Sequence, residues 1–448
     1  MLYLSSNFKT FLKMASPQKV SFYTLGCKLN FSETSTIARQ FEQGGFVRAA
    51  RGEKADIYVI NSCSVTEHAD KKCRNLVRHL IKENPEAIVV VTGCYAQLKP
   101  QEMAAIKGVD LVIGNNDKGS IYDRVAALPA KSGAMIHTCS VEELTGFFAA
   151  FSSGDRTRSF LKVQDGCSYR CSYCTIPLAR GASRNLPITD LVREAEAIAA
   201  KGQREIVLTG INVGDFGRTT GESFADLLRA LDRVEGIDRY RISSIEPNLL
   251  TDEVIAFTAG SQKFQPHFHV PLQSGCDRIL ALMRRRYNTA RFADRIAAVR
   301  AQIPDVFFGV DVIVGFPGET DEDFEQTYRF LEQEVHPAFL HVFPYSVRPN
   351  TPAAVMPNQV QSSVATQRVE RLSALSARLY REFAMAHLGQ EAKVLWESTR
   401  HGGKMFGFTE NYLKVSVPFD RELINTITRV RLDRMDEEAL IEATILSD

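Results

Sequence analysis

The chain has 448 residues, a length that predicts two or three domains at about 150 residues each. Its composition, 44% hydrophobic and 24% charged, is that of a globular protein with a sizeable core, and no apolar run reaches the roughly 18 residues of a membrane span. The net charge of +1 neither indicates nor excludes a nucleic-acid partner, so any basic surface must be local. Nine cysteines, with no secretory signal over residues 1–13, indicate a reducing cytoplasm and metal or catalytic use of the thiols.

Short β-branched runs alternate with helical stretches in the first part of the chain. The predicted strands are 20–24, 56–60, 87–91 and 111–113, and the predicted helices are 32–43 and 66–83. Near-continuous apolar runs are typical of parallel strands that are buried on both faces. We therefore predict an open parallel α/β sheet as the N-terminal domain, residues 18–130.

Three of these strands are each followed directly by a cysteine: Cys27, Cys63 and Cys94. The carboxyl ends of parallel strands share one edge of a sheet, where ligands bind, so the three thiols should converge. Gly26 and Gly93 allow the backbone to approach a bulky inorganic group closely. A metal site is favoured over the alternative of three separate buried thiols. The remaining cysteines lack a partner at ligand spacing: Cys73, Cys139 and Cys276.

A second cysteine triad follows a predicted linker over residues 131–155. Cys167, Cys171 and Cys174 have the spacing C-x3-C-x2-C and come directly after an apolar run, 159–163, that is typical of a strand. Structural zinc takes four protein ligands, and no fourth Cys or His is near, so three thiolates leave one coordination position open. Thiolate ligands favour zinc or iron-sulfur clusters.

Strands and helices alternate again beyond this loop. The further predicted strands are 205–209, 240–243, 267–270, 306–314 and 339–343, and the helices are 190–201, 223–234, 251–259, 276–286, 289–302 and 320–332. About six βα units predict a partial TIM-like barrel within a central domain, residues 156–385, with its chemistry at the carboxyl ends of the strands. His267 and His269 alternate on one strand and face the same side, where either a barrel-lining or a core role is open.

After a helical stretch at 355–388, residues 386–448 change to short strands with Gly and Asn turns, and the predicted strands are 393–397, 405–409, 412–417 and 429–432. This pattern predicts a small C-terminal β-barrel of OB-like build, a class that often binds RNA. Acidic residues outnumber basic ones here, so RNA binding must depend on a local face, either around Trp396 or on the arginine run 284–286. For that run, a solvated helix end is the favoured alternative. The lysines of the face around Trp396 are Lys393, Lys404 and Lys414.

The cysteine loop, with Tyr173 directly before its last cysteine, resembles the radical S-adenosylmethionine (SAM) enzymes. With the three-cysteine N-terminal domain and the terminal β-barrel, the chain resembles the radical SAM methylthiotransferases along nearly its whole length, and the last domain is then TRAM-like. The residues 24–30, Thr-Leu-Gly-Cys-Lys-Leu-Asn, followed by 32–34, Ser-Glu-Thr, are most similar to one branch of that family. This branch acts on N6-threonylcarbamoyladenosine next to the anticodon of tRNA.

The resemblance implies two 4Fe-4S clusters and SAM as cofactors, and a reductant such as flavodoxin or ferredoxin. The cluster on Cys167, Cys171 and Cys174 would cleave SAM to a radical that removes the hydrogen at adenine carbon 2. The second cluster, on the N-terminal triad, would supply the sulfur, methylated by another SAM. Residues at strand ends of the barrel are candidate SAM contacts: Tyr173, Thr209, Gly210, Ser243, Glu246, Gln273 and Gly315.

Other functions remain open at this point. Sister branches methylthiolate isopentenyladenosine in tRNA or an aspartate of a ribosomal protein. A protein of another class, a non-catalytic RNA-binding protein with structural zinc in both triads, also accounts for the cysteines. The metal distinguishes it, because a zinc protein is colourless and an iron-sulfur protein is brown.

Overall fold

The computed structural model describes residues 17–50, 52–128 and 133–446, so the opening segment without a predicted secretory signal lies outside the described residues. Within this part of the chain, none of the helices combines the length and the apolar character that crossing a bilayer requires.

The N-terminal domain is an open sheet of six parallel strands in the order β2-β1-β3-β4-β5-β6. The strands are β1 (Lys19–Thr24), β2 (Val47–Arg48), β3 (Ile57–Ser62), β4 (Ile88–Gly93), β5 (Leu111–Ile113) and β6 (Met135–His137). The helices are α1 (Lys28–Gln43), α2 (Glu67–Glu83), α3 (Cys94–Leu98), α4 (Pro100–Ala104) and α5 (Ile121–Ala126). β3 is buried along its whole length, as its β-branched run predicts. The predicted parallel α/β sheet is confirmed.

The sheet has two strands that the sequence does not reveal, β2 and β6. β6 lies inside the stretch predicted as a linker, so the sheet extends into that stretch. A strand of three residues is too short to show a hydrophobic period against its Ser and Gly neighbours. The exact domain boundaries stay a prediction.

The central domain has six parallel strands in two sheets of three, β7-β8-β9 and β10-β11-β12. The strands are β7 (Arg158–Lys162), β8 (Glu205–Thr209), β9 (Arg239–Ile242), β10 (His267–Gln273), β11 (Phe307–Val314) and β12 (Phe339–Pro344). The helices are α6 (Ile176–Arg180), α7 (Ile188–Ala199), α8 (Phe224–Asp232), α9 (Asp252–Gly260), α10 (Asp277–Leu282), α11 (Thr289–Gln302) and α12 (Asp321–Arg329). Isolated parallel bridges, such as Ser244 to His269, join the sheets, and one hydrophobic core spans both. The predicted partial barrel is confirmed.

A long helix, α13 (Ser362–Met385), leads to a closed five-stranded barrel in the order β13-β14-β15-β17-β16. Its strands are β13 (Glu391–His401), β14 (Lys404–Thr409), β15 (Lys414–Pro418), β16 (Ile427–Met435) and β17 (Ile441–Ile445). The predicted small β-barrel is confirmed, but the prediction that Trp396 faces RNA is wrong. Trp396 is fully buried in the barrel core, and its indole N–H donates to Thr428 Oγ1 at 2.8 Å.

Candidate active site

The loop between β7 and α6 holds Cys167, Cys171 and Cys174 at the carboxyl end of β7. Backbone N–H groups point at two of the sulfurs: that of Tyr169 lies 3.4 Å from Cys167 Sγ, and that of Ile176 lies 3.4 Å from Cys174 Sγ. Such donors stabilise the thiolate, which is the form that binds metal. Burial, with a further contribution from the neighbouring Cys171, raises the pKa of Cys174 to about 12, so this sulfur is a thiol until a metal or cluster binds it.

Arg285 lies beside this loop and was missed by the sequence analysis. Its guanidinium donates to Cys171 Sγ at 3.1 Å and to the Tyr173 hydroxyl at 3.4 Å, and it forms an ion pair with Glu246. Only 3% of the Arg285 side chain is exposed, so the interpretation of this arginine run as a solvated helix end is wrong for its central residue. This buried guanidinium connects Glu246, a predicted SAM contact, to the cysteine loop.

A cavity of about 300 Å³ opens next to Cys174. Tyr173 and Gln273, two of the predicted SAM contacts, line it. Gln273 has a φ of +71°, at the point where the β10 register shifts against β11. Left-handed backbone at a residue other than glycine is costly and is concentrated at functional sites. The shift turns the end of β10 so that Gln273 faces the cavity.

The other predicted SAM contacts lie elsewhere at the strand ends. The Thr209 hydroxyl donates to the Val207 carbonyl at 3.1 Å, and Gly210 packs against Gln164. Gly315, with a φ of +74°, packs against α13. Ser243 is buried, and its hydroxyl has no partner within the described ranges. None of these four residues lines the cavity beside Cys174.

The N-terminal triad lies at the carboxyl edge of the first sheet, as predicted. Cys27 precedes α1, Cys63 follows β3, and Cys94 begins α3 directly after β4. Gly26 has a φ of +97°, and a Cβ added there would lie 2.8 Å from Cys63 Sγ, so the two segments touch. Burial raises the pKa of Cys63 to about 12. The geometry brings three sulfurs to one edge of the sheet and leaves no room for a side chain at Gly26.

The spread of the sulfurs distinguishes a single metal ion from a cluster. Zinc with four thiolates holds its sulfurs about 3.8 Å apart, since each Zn–S bond is about 2.3 Å. Among the described residues, only His269, Asp311 and His341 bring three ligand atoms within 4.8 Å of one another. In each cysteine triad at least one pair of sulfurs is therefore farther apart than zinc would hold it. In the described structure, neither triad gathers its three sulfurs as closely as one tetrahedral zinc ion would.

A buried network of charges joins the two triads. Arg180, on the helix that follows Cys174, donates to Asn30 Oδ1 at 2.6 Å and to Glu33 Oε1 at 3.0 Å. Both acceptors lie on α1, the helix that follows Cys27. Burial would raise the pKa of Glu33, but Arg180 and two buried lysines outweigh it and hold the pKa well below its ordinary value. These lysines are Lys118 and Lys162.

The two sites also share walls. Val65 and Thr66, just past Cys63, line the same cavity as Cys174. Asp311 lines that cavity too, and its carboxylate lies 2.6 Å from Nε2 of His269. His269 in turn lines a cleft of about 1230 Å³ between the central and C-terminal barrels. His269 thus lines the cleft and is not a core residue, and its contact with Asp311 links the cleft to the wall of the cavity beside Cys174.

Two family models match the chain. "Uncharacterized protein family UPF0004" matches residues 19–114, and "Radical SAM superfamily" matches residues 161–331. The fold is also similar to the radical SAM methyltransferase TsrM from Kitasatospora setae, solved with cobalamin and a [4Fe-4S] cluster. The TM-score is 0.55 at 14% identity, covering 76% of this chain and 77% of that one. That likeness concerns the fold alone.

Curated relatives extend the match to nearly the full length. The threonylcarbamoyladenosine tRNA methylthiotransferase MtaB of Bacillus subtilis (strain 168) is 41% identical over 92% of this chain and 93% of the relative. MtaB of Aquifex aeolicus (strain VF5) is 36% identical over 89% and 96%. The tRNA-2-methylthio-N(6)-dimethylallyladenosine synthase of Thermobifida fusca (strain YX) is 36% identical over 85% and 78%. The chain, with two cysteine triads at the ends of parallel strands, therefore belongs to the radical SAM methylthiotransferase family.

Proposed function

We propose that this enzyme methylthiolates carbon 2 of N6-threonylcarbamoyladenosine next to the anticodon of tRNA. The observation that carries the proposal is the closeness of the two triads, since Val65 and Thr66, just past Cys63, line the same cavity as Cys174. A transfer that needs a radical at one centre and a sulfur at another requires such a shared space. The relatives named for threonylcarbamoyladenosine, at 41% and 36% identity over most of the chain, support this substrate.

In this proposal, Cys167, Cys171 and Cys174 hold the catalytic 4Fe-4S cluster, which also binds SAM. The N-terminal triad, Cys27, Cys63 and Cys94, holds the second cluster. When bound, these groups supply the electron that cleaves SAM and the sulfur that is transferred.

The surrounding residues of the chain position these groups. Arg285 donates a hydrogen bond to Cys171 Sγ and holds Glu246 in place through an ion pair. Tyr173 and Gln273 face the space where SAM would lie. A reductant such as flavodoxin or ferredoxin would deliver the electron. A cytoplasmic location, where tRNA is found and the nine free cysteines stay reduced, follows from the proposal.

Mass spectrometry of nucleosides from total tRNA tests this function. Cells that lack the gene should lose the 2-methylthio form of threonylcarbamoyladenosine and accumulate the precursor without it. Expression of wild type should restore the modification, and expression of a Cys174→Ala variant should not. Cys139→Ala is the matched control and should restore it, because Cys139 belongs to neither triad.

Other results would contradict the proposal in distinct ways. Loss of only the methylthiolated isopentenyl nucleoside would assign the chain to the sister tRNA branch. Unchanged tRNA nucleosides, with a methylthiolated ribosomal protein disappearing, would assign it to the protein-modifying branch. Purified protein that is colourless and contains zinc instead of iron would favour the non-catalytic alternative.

A further inference from the structure

A second cavity, of about 310 Å³, lies beside Cys27 and is lined by basic side chains. They come from three parts of the chain: Lys28 from α1, Arg156 and Arg158 from the start of β7, and Arg241 from β9. Within the described part of the chain, no Asp or Glu side chain lines this cavity. Phe31 and Tyr412 add aromatic walls.

Two of these cations are neutralised within the protein. Arg158 forms an ion pair with Glu397 at 3.0 Å and donates to the Tyr412 hydroxyl at 3.1 Å. Arg241 donates to Glu205 at 2.8 Å and to carbonyls of the C-terminal barrel. These arginines build the wall and keep little capacity for a ligand.

The other two cations are not neutralised by any acidic residue that the structure describes. Lys28 and Arg156 form no ion pair with any described residue, although Arg156 lies over the Phe31 ring at 4.8 Å. Asp311 acts electrostatically on Lys28, but its carboxylate is already bonded to His269 at 2.6 Å. Both residues are exposed, so their charges are free to bind an anionic group that enters the cavity.

His267 gives an independent sign of a ligand. It lines the same cavity, is only 8% exposed, and packs on Tyr412 with ring centroids 4.4 Å apart. Its Nδ1 is buried and has no hydrogen-bond partner in the described structure. Buried polar atoms are almost always paired, so an unpaired ring nitrogen at the wall of a basic cavity points to a bound polar group.

We propose that this cavity is the subsite for the carboxylate of the threonylcarbamoyl group, which Lys28 and Arg156 bind while His267 contacts the polar remainder of the group. The inference rests on the proposed function and extends it to the choice among substrates. In adenine, carbons 2 and 6 flank the ring nitrogen N1, and N6 is attached to carbon 6, so a group on N6 lies near the carbon that receives sulfur. A cavity next to Cys27 is in the right place for such a group.

The subsite also explains discrimination between tRNA substrates. An isopentenyl group carries no charge, so it would give Lys28 and Arg156 no anionic ligand and would leave the buried Nδ1 of His267 unpaired. A site built to bind a polar group rejects an analogue that lacks it, because its own polar groups then stay unpaired. The cavity therefore favours an acidic N6 group over an apolar one.

The test compares the binding of three anticodon stem-loop RNAs that differ only at N6 of the target adenosine. One carries the threonylcarbamoyl group, one carries its methyl ester, and one is unmodified. Anaerobically purified holoenzyme should bind the free carboxylate about tenfold or more tighter than the ester, the ratio expected for a charge-assisted hydrogen bond. Lys28→Met should abolish most of this ratio and leave the binding of the ester RNA unchanged.

Matched variants separate the carboxylate contact from general effects. Lys28→Arg keeps the charge and should keep most of the preference. Lys107→Met removes one exposed charge from the same domain, away from the cavity, and should leave the ratio unchanged. Because Lys28 follows Cys27, the iron content of each variant is measured too. If Lys28→Met loses iron, Arg156→Gln serves as the second variant and should lower the ratio in the same direction.

Three outcomes overturn the inference. If wild-type enzyme binds the carboxylate RNA and the ester RNA equally tightly, the cavity does not bind the carboxylate. Equal weakening of all three RNAs by Lys28→Met means that the cavity binds a tRNA phosphate. A ratio that neither variant changes places the contact elsewhere. The proposed function fails separately, when tRNA nucleosides do not change on loss of the gene whatever the binding ratio is.

Discussion

Gly26 is the residue whose missing side chain matters most for the N-terminal triad. Its φ of +97° is strained for other residues, and an added Cβ would lie 2.7 Å from the Cys63 Cβ and 2.8 Å from its sulfur. We expect Gly26→Ala to displace Cys63 and to lower the iron content of the purified enzyme by about half, because only the N-terminal cluster is lost. Iron analysis of anaerobically purified protein measures this.

Gly202→Ala is the control for backbone strain without crowding. Gly202 also has a positive φ, +75°, but nothing lies within 4 Å of the added Cβ. The Gly202→Ala substitution should cost about 1–2 kcal/mol of stability and leave the iron content at the wild-type value. Full iron in Gly26→Ala would show that Cys63 is not positioned by this contact.

At the level of single residues, sequence reasoning located the cysteines and missed their neighbours. The triads were predictable because each cysteine follows a recognisable strand, and the ends of parallel strands share an edge. Arg285 was not predictable, since its contact with Cys171 joins segments that are 114 residues apart in the chain. Only the packing of α10 against the loop shows that this arginine is buried and its neighbours Arg284 and Arg286 are exposed.

At the level of elements, Glu33 holds α1 against the central domain. Its carboxylate contacts Arg180 at 3.0 Å and Lys162 at 2.9 Å, and its side chain is 1% exposed. Since these cations hold the pKa of Glu33 well below its ordinary value, its contribution to stability is complete above the unfolded pKa of about 4.3. That contribution is lost as the pH falls from there toward the folded pKa.

We therefore expect Glu33→Gln to destabilise the protein by about 3–5 kcal/mol at pH 7, because the cations around it stay buried and unpaired. The difference from wild type should shrink once the pH falls below about 4, where wild-type Glu33 also begins to lose its advantage. Urea unfolding of wild type and Glu33→Gln, at pH 7 and at a pH below about 4, measures this difference in the free energy of unfolding. Glu53→Gln, which breaks an exposed pair with Lys19, should change stability little at either pH. A cost that does not depend on pH would contradict the assigned role of the carboxylate.

Element prediction succeeded where a hydrophobic period was long enough to detect. The six strands of the central barrel and four of the N-terminal strands were predicted from such runs. β2, with two residues, and β6, with three, escaped detection because pairing with a neighbour, and not their own sequence, makes them strands. β17 escaped for a related reason, since its alternating residues Ile441–Ile445 form a strand only when the barrel closes on β15 and β16.

At the scale of the whole molecule, two arginines of β9 attach the C-terminal barrel to the central domain. Arg239 donates to the carbonyls of Phe408 at 3.1 Å and Lys393 at 2.9 Å, and Arg241 donates to that of Thr409 at 2.8 Å. The sequence could not reveal this, because backbone carbonyls as acceptors leave no residue pattern. The contact fixes the barrel beside the cleft of about 1230 Å³ that it shares with β10–β12.

Trp396, the single tryptophan of the chain, reports on this attachment, because it is fully buried in the barrel core. Arg239→Met removes two hydrogen bonds from a charged donor, each of which contributes about 1.5–3 kcal/mol. We expect Trp396 fluorescence to change at a lower urea concentration in this variant. The helical circular dichroism signal, which comes from the chain before the C-terminal barrel, should keep the wild-type midpoint. Arg204→Met, which breaks the exposed pair with Asp238 on the same face, should shift neither signal by more than about 1 kcal/mol. Coinciding signals at the wild-type midpoint in Arg239→Met would mean that other contacts hold the barrel in place.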